Sequence, residues 1–275
     1  MTYSRLMSDS IVFGPGRPLI MGHRGNLNKA PENTMLALKA ALEIGVDFLE
    51  SDIRLTSDDE LVLFHDDDLR RTTGESGSVR ERTLEELRQM DFGYMFTQDG
   101  VTFPFRGKGL SVVTLREAFE ELPETRFNLD IKDSDRKAPQ VLAEVLEEYD
   151  RLDTVTIASF IPEQMTLFRE ITPDAITSAH PKEVRNFVLG TRFRALSLFS
   201  RNIQYKAFQV PIKYGSTSVI SERFVEQAHK RRIAVHVWTI NDRDEMEWLI
   251  GLGVDGIFTD EIALMREVLS EHGML

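Results

Sequence analysis

The sequence predicts an α/β fold, a (β/α)8 TIM barrel with a small insertion after the second strand. Three observations point there. Short apolar runs that read as strands alternate with longer amphipathic stretches that read as helices, from Leu19 to the carboxyl end. The 275 residues match the ~250 that one such barrel typically needs. Titratable side chains also gather at the carboxyl ends of the predicted strands, where barrels of this kind carry their sites.

Each element has its own warrant. Leu19-Ile20-Met21 is the first strand, and it runs into GHRGNLNKAPENT, residues Gly22 to Thr34. That turn carries a histidine, an arginine and two glycines. A helix follows, with Asn33 expected as N-cap, Leu38, Ala41 and Leu42 as its apolar face, and Gly45 as its stop. In the second strand, Val46 to Ile53, alternation sets Phe48, Glu50 and Asp52 on one face and Leu49, Ser51 and Ile53 on the other. Leu49 and Ile53 suit a helix-facing surface, so the two carboxylates are expected inside the barrel, near its mouth. The gap to the apolar run at residues 61–64 is too short for a helical crossover and predicts a hairpin. A two-residue turn at Asp58-Asp59 would place His65 opposite Asp52.

Residues 66–112 interrupt the rhythm. They include RRTTGESG, a short helix with a capping box at Thr83 and Glu86, and FGYMFTQDGVTFPFRGKG. They read as a lid or partial wall at the mouth, within a single barrel domain spanning residues 1–275. The alternation then resumes: helix 114–121 and strand 126–131, helix 138–149 and strand 154–159, helix 162–170 and strand 175–178. Helix 181–189 leads by a longer link to strand 207–210. Helix 219–231 precedes strand 234–238, helix 242–250 precedes strand 256–259, and a last helix closes the chain. The run 195–199 competes with 207–210 for the sixth strand.

Composition excludes several classes. A net charge of −12 argues against a nucleic-acid partner, which would need basic patches, but leaves room for a small anion in a locally cationic pocket. With no cysteine there is no disulfide, thiol catalysis or cysteine-based zinc site. MTYSRLMSDSIVFGPG lacks a basic region followed by an apolar one, and no run of some 18 apolar residues occurs; a soluble cytoplasmic protein without a transmembrane segment is expected. Nothing in the sequence specifies an oligomeric state.

His23, Glu50, Asp52, Asp130, Lys132, Ser159, Trp238 and Asp260 all fall at or just beyond predicted strand ends. Taken singly, each has an ordinary structural role. The carboxylates are solvated strand ends, Asp130 and Lys132 a rim salt bridge, Trp238 a core residue, and Asn33 and Asn241 helix caps.

Together, GHRG…APENT, FLESDIRLTSDDELVLFHDDDLRRTTGESG, NLDIK, VHVWTIND and GVDGIFTD resemble the glycerophosphodiester phosphodiesterase family, in the same order and at similar spacing over nearly the whole chain. The resemblance implies metal-dependent hydrolysis of glycerophosphodiesters to glycerol 3-phosphate and an alcohol. By motif it implies His23 and His65 as the acid–base pair, Glu50, Asp52 and Asp130 as metal ligands, and Arg24 and Lys132 as phosphate contacts. One position departs: the family has Glu where this chain has Asp130, shorter by one methylene, roughly 1.5 Å.

Elementary chemistry agrees with this. A phosphodiester is an anion with a poor alkoxide leaving group, and a carboxylate-held divalent ion offsets its charge. All-oxygen ligands favour Mg2+ or Ca2+, with Mn2+ also suitable, over zinc. A guanidinium takes phosphate oxygens as a fork, and two histidines on opposite sides of phosphorus serve an in-line displacement. Trp238 and Phe160 offer an apolar wall for the substrate. Alternatives on the same barrel are a lysophospholipase D, a phospholipase-C-like enzyme forming a cyclic phosphate, and a non-catalytic phosphate-ester binding module. An acyl substrate would need an apolar rim, for which Phe92, Tyr94, Met95, Phe96, Phe103 and Phe105 are candidates.

Overall fold

The structure, a computed structural model, describes residues 11–199 and 203–275. Residues 1–10, most of the stretch read for a leader, lie outside it.

Its strands are β1 (Leu19–His23), β2 (Phe48–Leu55), β3 (Leu61–Leu63), β4 (Phe127–Ile131), β5 (Val155–Ala158), β6 (Ile176–Thr177), β7 (Ala207–Val210), β8 (Lys213–Tyr214), β9 (Thr217–Ser218), β10 (Ala234–Val237) and β11 (Gly256–Thr259). Eight of them pair side by side in the order β6-β5-β4-β2-β1-β11-β10-β7. Every pairing along that path is parallel. A parallel bridge between Ser178 and Ala207 joins the two outermost strands. There Ala179 N donates to Ala207 O at 2.9 Å and Lys206 N to Thr177 O at 2.9 Å, closing the ring. Helices alternate with these strands, so the expected (β/α)8 barrel is the observed fold.

The chain buries two layers of apolar side chains. Leu49 and Ile53 of β2 join Leu38, Leu142, Phe168, Phe224 and Leu249 from the surrounding helices in the outer layer. Phe48 instead points inward, with Leu19, Met21, Ile176, Ala207, Ala234 and Phe258, and the preceding segment Ile11-Val12 plugs that end of the barrel. The period-2 alternation of β2 therefore carries Glu50 and Asp52 to the interior, above Phe48.

Local differences from expectation have identifiable causes. The first helix is Met35–Ile44, capped by Thr34, whose hydroxyl accepts from Ala37 N, and stopped by Gly45 at φ 101°. Asn33 is not the cap; it lies one residue earlier in the left-handed region at φ 56°. Asp242, not Asn241, caps helix Arg243–Leu252. The capping box at Thr83 and Glu86 is present. The β2–β3 hairpin pairs Ile53 with Leu63 and Leu55 with Leu61, one residue away from the expected register. Its loop is Ser57-Asp58-Asp59, closed by Thr56 N donating to Glu60 O, with Asp59 at φ 67°. A left-handed third residue makes this a three-residue turn with a bulge. Phe64 N, rather than His65, consequently faces Asp52 through the carbonyl of that residue. Residues Leu196–Phe199 form a short helix, which leaves β7 as the sixth barrel strand. The small hairpin β8–β9 was not foreseen.

Between β3 and helix Leu115–Glu121, the short helices Arg70–Thr73 and Leu84–Arg88 sit over a separate cluster of Val62, Phe64, Leu69, Val79, Leu87, Phe92 and Val112. No helix among the described residues is long and apolar enough to cross a membrane.

Candidate active site

The site begins with the turn that ends β1. Arg24 and Gly25 both have positive φ, 54° and 94°. At Gly25 a Cβ would meet the backbone of Ala37 at 2.7 Å, so this position requires glycine. Arg24 tolerates its left-handed backbone because its N–H donates to Glu50 Oε2 at 3.1 Å and its carbonyl accepts from Asn33 N at 3.0 Å.

Each histidine stands against a carboxylate. His23 Nδ1 lies 2.7 Å from Asp260 Oδ1. Asp260 Oδ2 accepts from Asn241 Nδ2 at 2.7 Å, and Asn241 Oδ1 accepts from Asp260 N. Burial works to raise the Asp260 carboxyl, but His23 and Asn241 outweigh it and hold the group below its ordinary value. An ionised carboxylate only accepts, so Nδ1 carries the hydrogen and Nε2 is left for chemistry. Burial pulls the His23 imidazole down, while Asp260 and Glu50 push it up and prevail, so it holds its proton above the usual histidine range. His65 repeats the arrangement: its Nδ1 lies 2.6 Å from Asp66 Oδ1. Arg54 Nε and Nη2 donate to the His65 carbonyl at 3.0 and 2.8 Å and pin its backbone.

The interior carboxylates sit between two cations. Lys132 Nζ donates to Asp130 Oδ2 at 2.7 Å and lies 3.0 Å from Asp52 Oδ1. Arg24 Nε is 3.1 Å from Asp52 Oδ2, yet its N–H is not aimed at that oxygen and has no hydrogen-bond partner among the described residues. Glu50, Asp52 and Asp130 are all buried. Their fates differ. Lys132 and Arg24 overcome the burial of Asp52 and hold it below its ordinary value. Burial, then the Asp52 charge, pushes Glu50 up to about 7. Burial also raises Asp130, with Lys132 pulling against it. Two cations thus suffice for one of three carboxylates, and Asp130 Oδ1 is buried without a hydrogen-bond partner among the described residues.

This donor set, all oxygen and short of positive charge, has the chemistry of a hard-cation site. The Lys132 ammonium stands between Asp52 and Asp130, and no three acidic or imidazole side chains among the described residues converge on one point. Above Lys132, Phe160 and Trp238 meet edge to face at 5.6 Å between centroids, with Lys132 Nζ 5.5 Å from the Phe160 ring. Ser159 is turned away: its hydroxyl donates to Ile131 O.

The expected residues His23, Arg24, Glu50, Asp52, Asp130, Lys132, Phe160 and Trp238 thus share one end of the barrel. Sequence reasoning missed Glu32, Asp66 and Arg71. Arg24 Nη1 donates to Glu32 Oε1 at 3.0 Å, and Arg71 donates to Glu32 through both Nη groups at 2.6 Å and to Asp66 through Nε. Their proximity in APENT and HDDDLRR was the available signal.

Known proteins resemble this chain over most of its length. Residues 23–264 match the model of the glycerophosphoryl diester phosphodiesterase family. Glycerophosphodiester phosphodiesterases of Bacillus altitudinis and Caldanaerobacter subterraneus are both 30% identical to this chain, covering 88% and 94% of it and 94% and 100% of their own lengths. A phosphodiesterase of Oleispira antarctica, solved in complex with the product sn-glycerol-3-phosphate, superposes with a TM-score of 0.74 at 24% identity, over 92% of this chain and 97% of that one. The chain therefore belongs to the glycerophosphoryl diester phosphodiesterase family and is an enzyme that hydrolyses glycerophosphodiesters.

Proposed function

We propose that the enzyme cleaves glycerophosphodiesters to sn-glycerol 3-phosphate and an alcohol in a divalent-metal-dependent reaction, with His23 and His65 as its acid–base pair. The observation that carries this reading is the pairing of each imidazole Nδ1 with a carboxylate, at one mouth that also holds three buried carboxylates and the Arg24 Nε–H, which has no hydrogen-bond partner among the described residues. The product bound to the Oleispira antarctica relative supports glycerol 3-phosphate as the released half.

Arg24 and Lys132 orient the phosphate oxygens, the first as a planar donor and the second as a point charge. One histidine Nε2 takes the proton of the attacking hydroxyl while the other returns one to the departing alkoxide oxygen. Asp260 and Asp66 keep both rings in the tautomer that this requires. Glu50, Asp52 and Asp130 would hold the ion once Lys132 gives up its place between Asp52 and Asp130 for the phosphate; bound, the ion would offset phosphate charge and acidify a hydroxyl. Mg2+, Ca2+ and Mn2+ suit these ligands. Phe160 and Trp238 form an apolar wall for the substrate, and residues 66–112 a partial wall of the mouth.

The aromatic residues of that segment favour small alcohols over acyl chains. Phe92 is buried against Phe64, the half-buried Phe96 and Phe105 meet edge to face, and Arg106 covers Phe103 and Tyr94, so that of the six only Tyr94 and Met95 stay exposed. Phosphorus NMR of glycerophosphocholine and a lysophospholipid, each with the three ions in turn and then with chelator, tests the reading. Glycerol 3-phosphate from the former, lost on chelation, is expected. Preference for the lysophospholipid, a cyclic phosphate end product, or full activity in chelator would overturn it.

A further inference from the structure

One guanidinium outside the barrel ladder ties together groups that stand behind both halves of the site. Arg71, on the short helix Arg70–Thr73, grips Glu32 with two parallel N–H bonds of 2.6 Å and reaches Asp66 with its third nitrogen. Glu32 in turn accepts from Arg24, and Asp66 faces His65 Nδ1 at 2.6 Å. The line Arg24–Glu32–Arg71–Asp66–His65 is continuous, with ion pairs of 3.0 Å or less. We propose that Arg71 is a positioning residue, fixing the His65 tautomer through Asp66 and the pose of Arg24 through Glu32. This rests on the roles given to His65 and Arg24 above.

The physical reason is geometric. A planar fork can satisfy two carboxylates at once, whereas an ammonium is a point charge that serves one direction well. Arg71 Nε holds Asp66 Oδ2, which turns Asp66 Oδ1 onto His65 Nδ1 and keeps the hydrogen there; Arg71, assisted by His65, also holds the Asp66 carboxyl down at about 2 against its burial. Glu32 is likewise kept below its ordinary value against its burial, by Arg71 and then Arg24. Without Arg71, Glu32 has only Arg24 to neutralise it and competes with the phosphate for that side chain.

The test uses the full chain with 15N-labelled histidine, wild type against Arg71→Ala, Arg71→Lys and Glu32→Gln. Ring-nitrogen spectra of His65 report the tautomer, and steady-state hydrolysis of glycerophosphocholine reports kcat and KM. Arg71→Ala is expected to mix the His65 tautomers and lower kcat at least tenfold, with partial recovery in millimolar guanidinium. Glu32→Gln is expected to shift KM and leave the tautomer alone. An unchanged tautomer, or kcat within twofold of wild type, in Arg71→Ala overturns the proposal. Should Arg71→Ala not fold, Arg71→Lys decides: wild-type values of both readouts overturn it, and a defect in either supports it. If the wild type hydrolyses no glycerophosphodiester with any divalent ion, the functional reading falls, while the spectra still decide what Arg71 does to His65.

Discussion

Glu50→Gln should stabilise the metal-free protein, because the fold holds this carboxylate against its own preference. Glu50 is 6% exposed, beside the charged Asp52, and its carboxyl is pushed from 4.5 up to about 7. Between those two values the folded chain keeps a proton that the unfolded chain has released. Stability therefore falls as pH rises through that window, and the whole penalty is present above it. The gap corresponds to ~3 kcal/mol at pH 8, and to less than about 1 kcal/mol at pH 5. Glutamine approximates the protonated form and still offers a carbonyl oxygen to Arg24 N. Urea unfolding in chelator at both pH values measures the effect: the variant should exceed wild type by ~2–3 kcal/mol at pH 8 and differ little at pH 5. Added Mg2+ or Ca2+ should then stabilise wild type far more than the variant. A variant no more stable than wild type at pH 8 would refute the claim that these carboxylates lack positive charge.

Asp260→Asn should bring the His23 imidazole down, since Asp260 is the largest influence raising it. Proton NMR titration of the ring checks this, and an unmoved midpoint contradicts it. Because the folded value is the higher one, the stability from this pair is present below pH 6.5 and is lost as pH rises through the folded value; Asp260→Asn should flatten that dependence. Asp130→Glu restores the missing methylene and should tighten divalent-ion binding severalfold by calorimetry; weaker binding would contradict a ligand role. Gly25→Ala, which drives a methyl into the Ala37 backbone at a left-handed position, should lower stability by 2 kcal/mol or more, in the upper range for single substitutions; a fully stable variant would mean that the turn can open.

Period-2 and period-3.6 patterns made most of the barrel legible, because its parallel strands are short apolar runs and its helices carry one apolar face. The inward aim of Glu50 and Asp52 followed from Leu49 and Ile53 alone. Local signals failed where a neighbouring residue could play the same part. Thr34 displaced Asn33 as cap because Asn33 was drawn into a left-handed position beside Ser51 and Asp52, where its side-chain oxygen accepts from the Ser51 hydroxyl. The hairpin slipped by one residue because Asp59 adopts positive φ without an Asn-Gly or Asp-Gly signature. Leu196–Phe199 carries an apolar run that is too short to tell helix from strand. Arg71 went unassigned for a different reason: a surface-looking arginine in a run of charges gains its role only when Glu32, 39 residues away, is folded against it.

The most direct test of the account is the turnover of glycerophosphocholine, followed by phosphorus NMR, in His23→Ala and His65→Ala beside wild type, with Mg2+, Ca2+ and Mn2+ each supplied. General acid–base catalysis contributes roughly 10²–10⁴ in rate. Wild type should release glycerol 3-phosphate, and both folded variants should fall by about that factor. Either variant within tenfold of wild type would contradict the claim that two carboxylate-held imidazoles share the proton transfers.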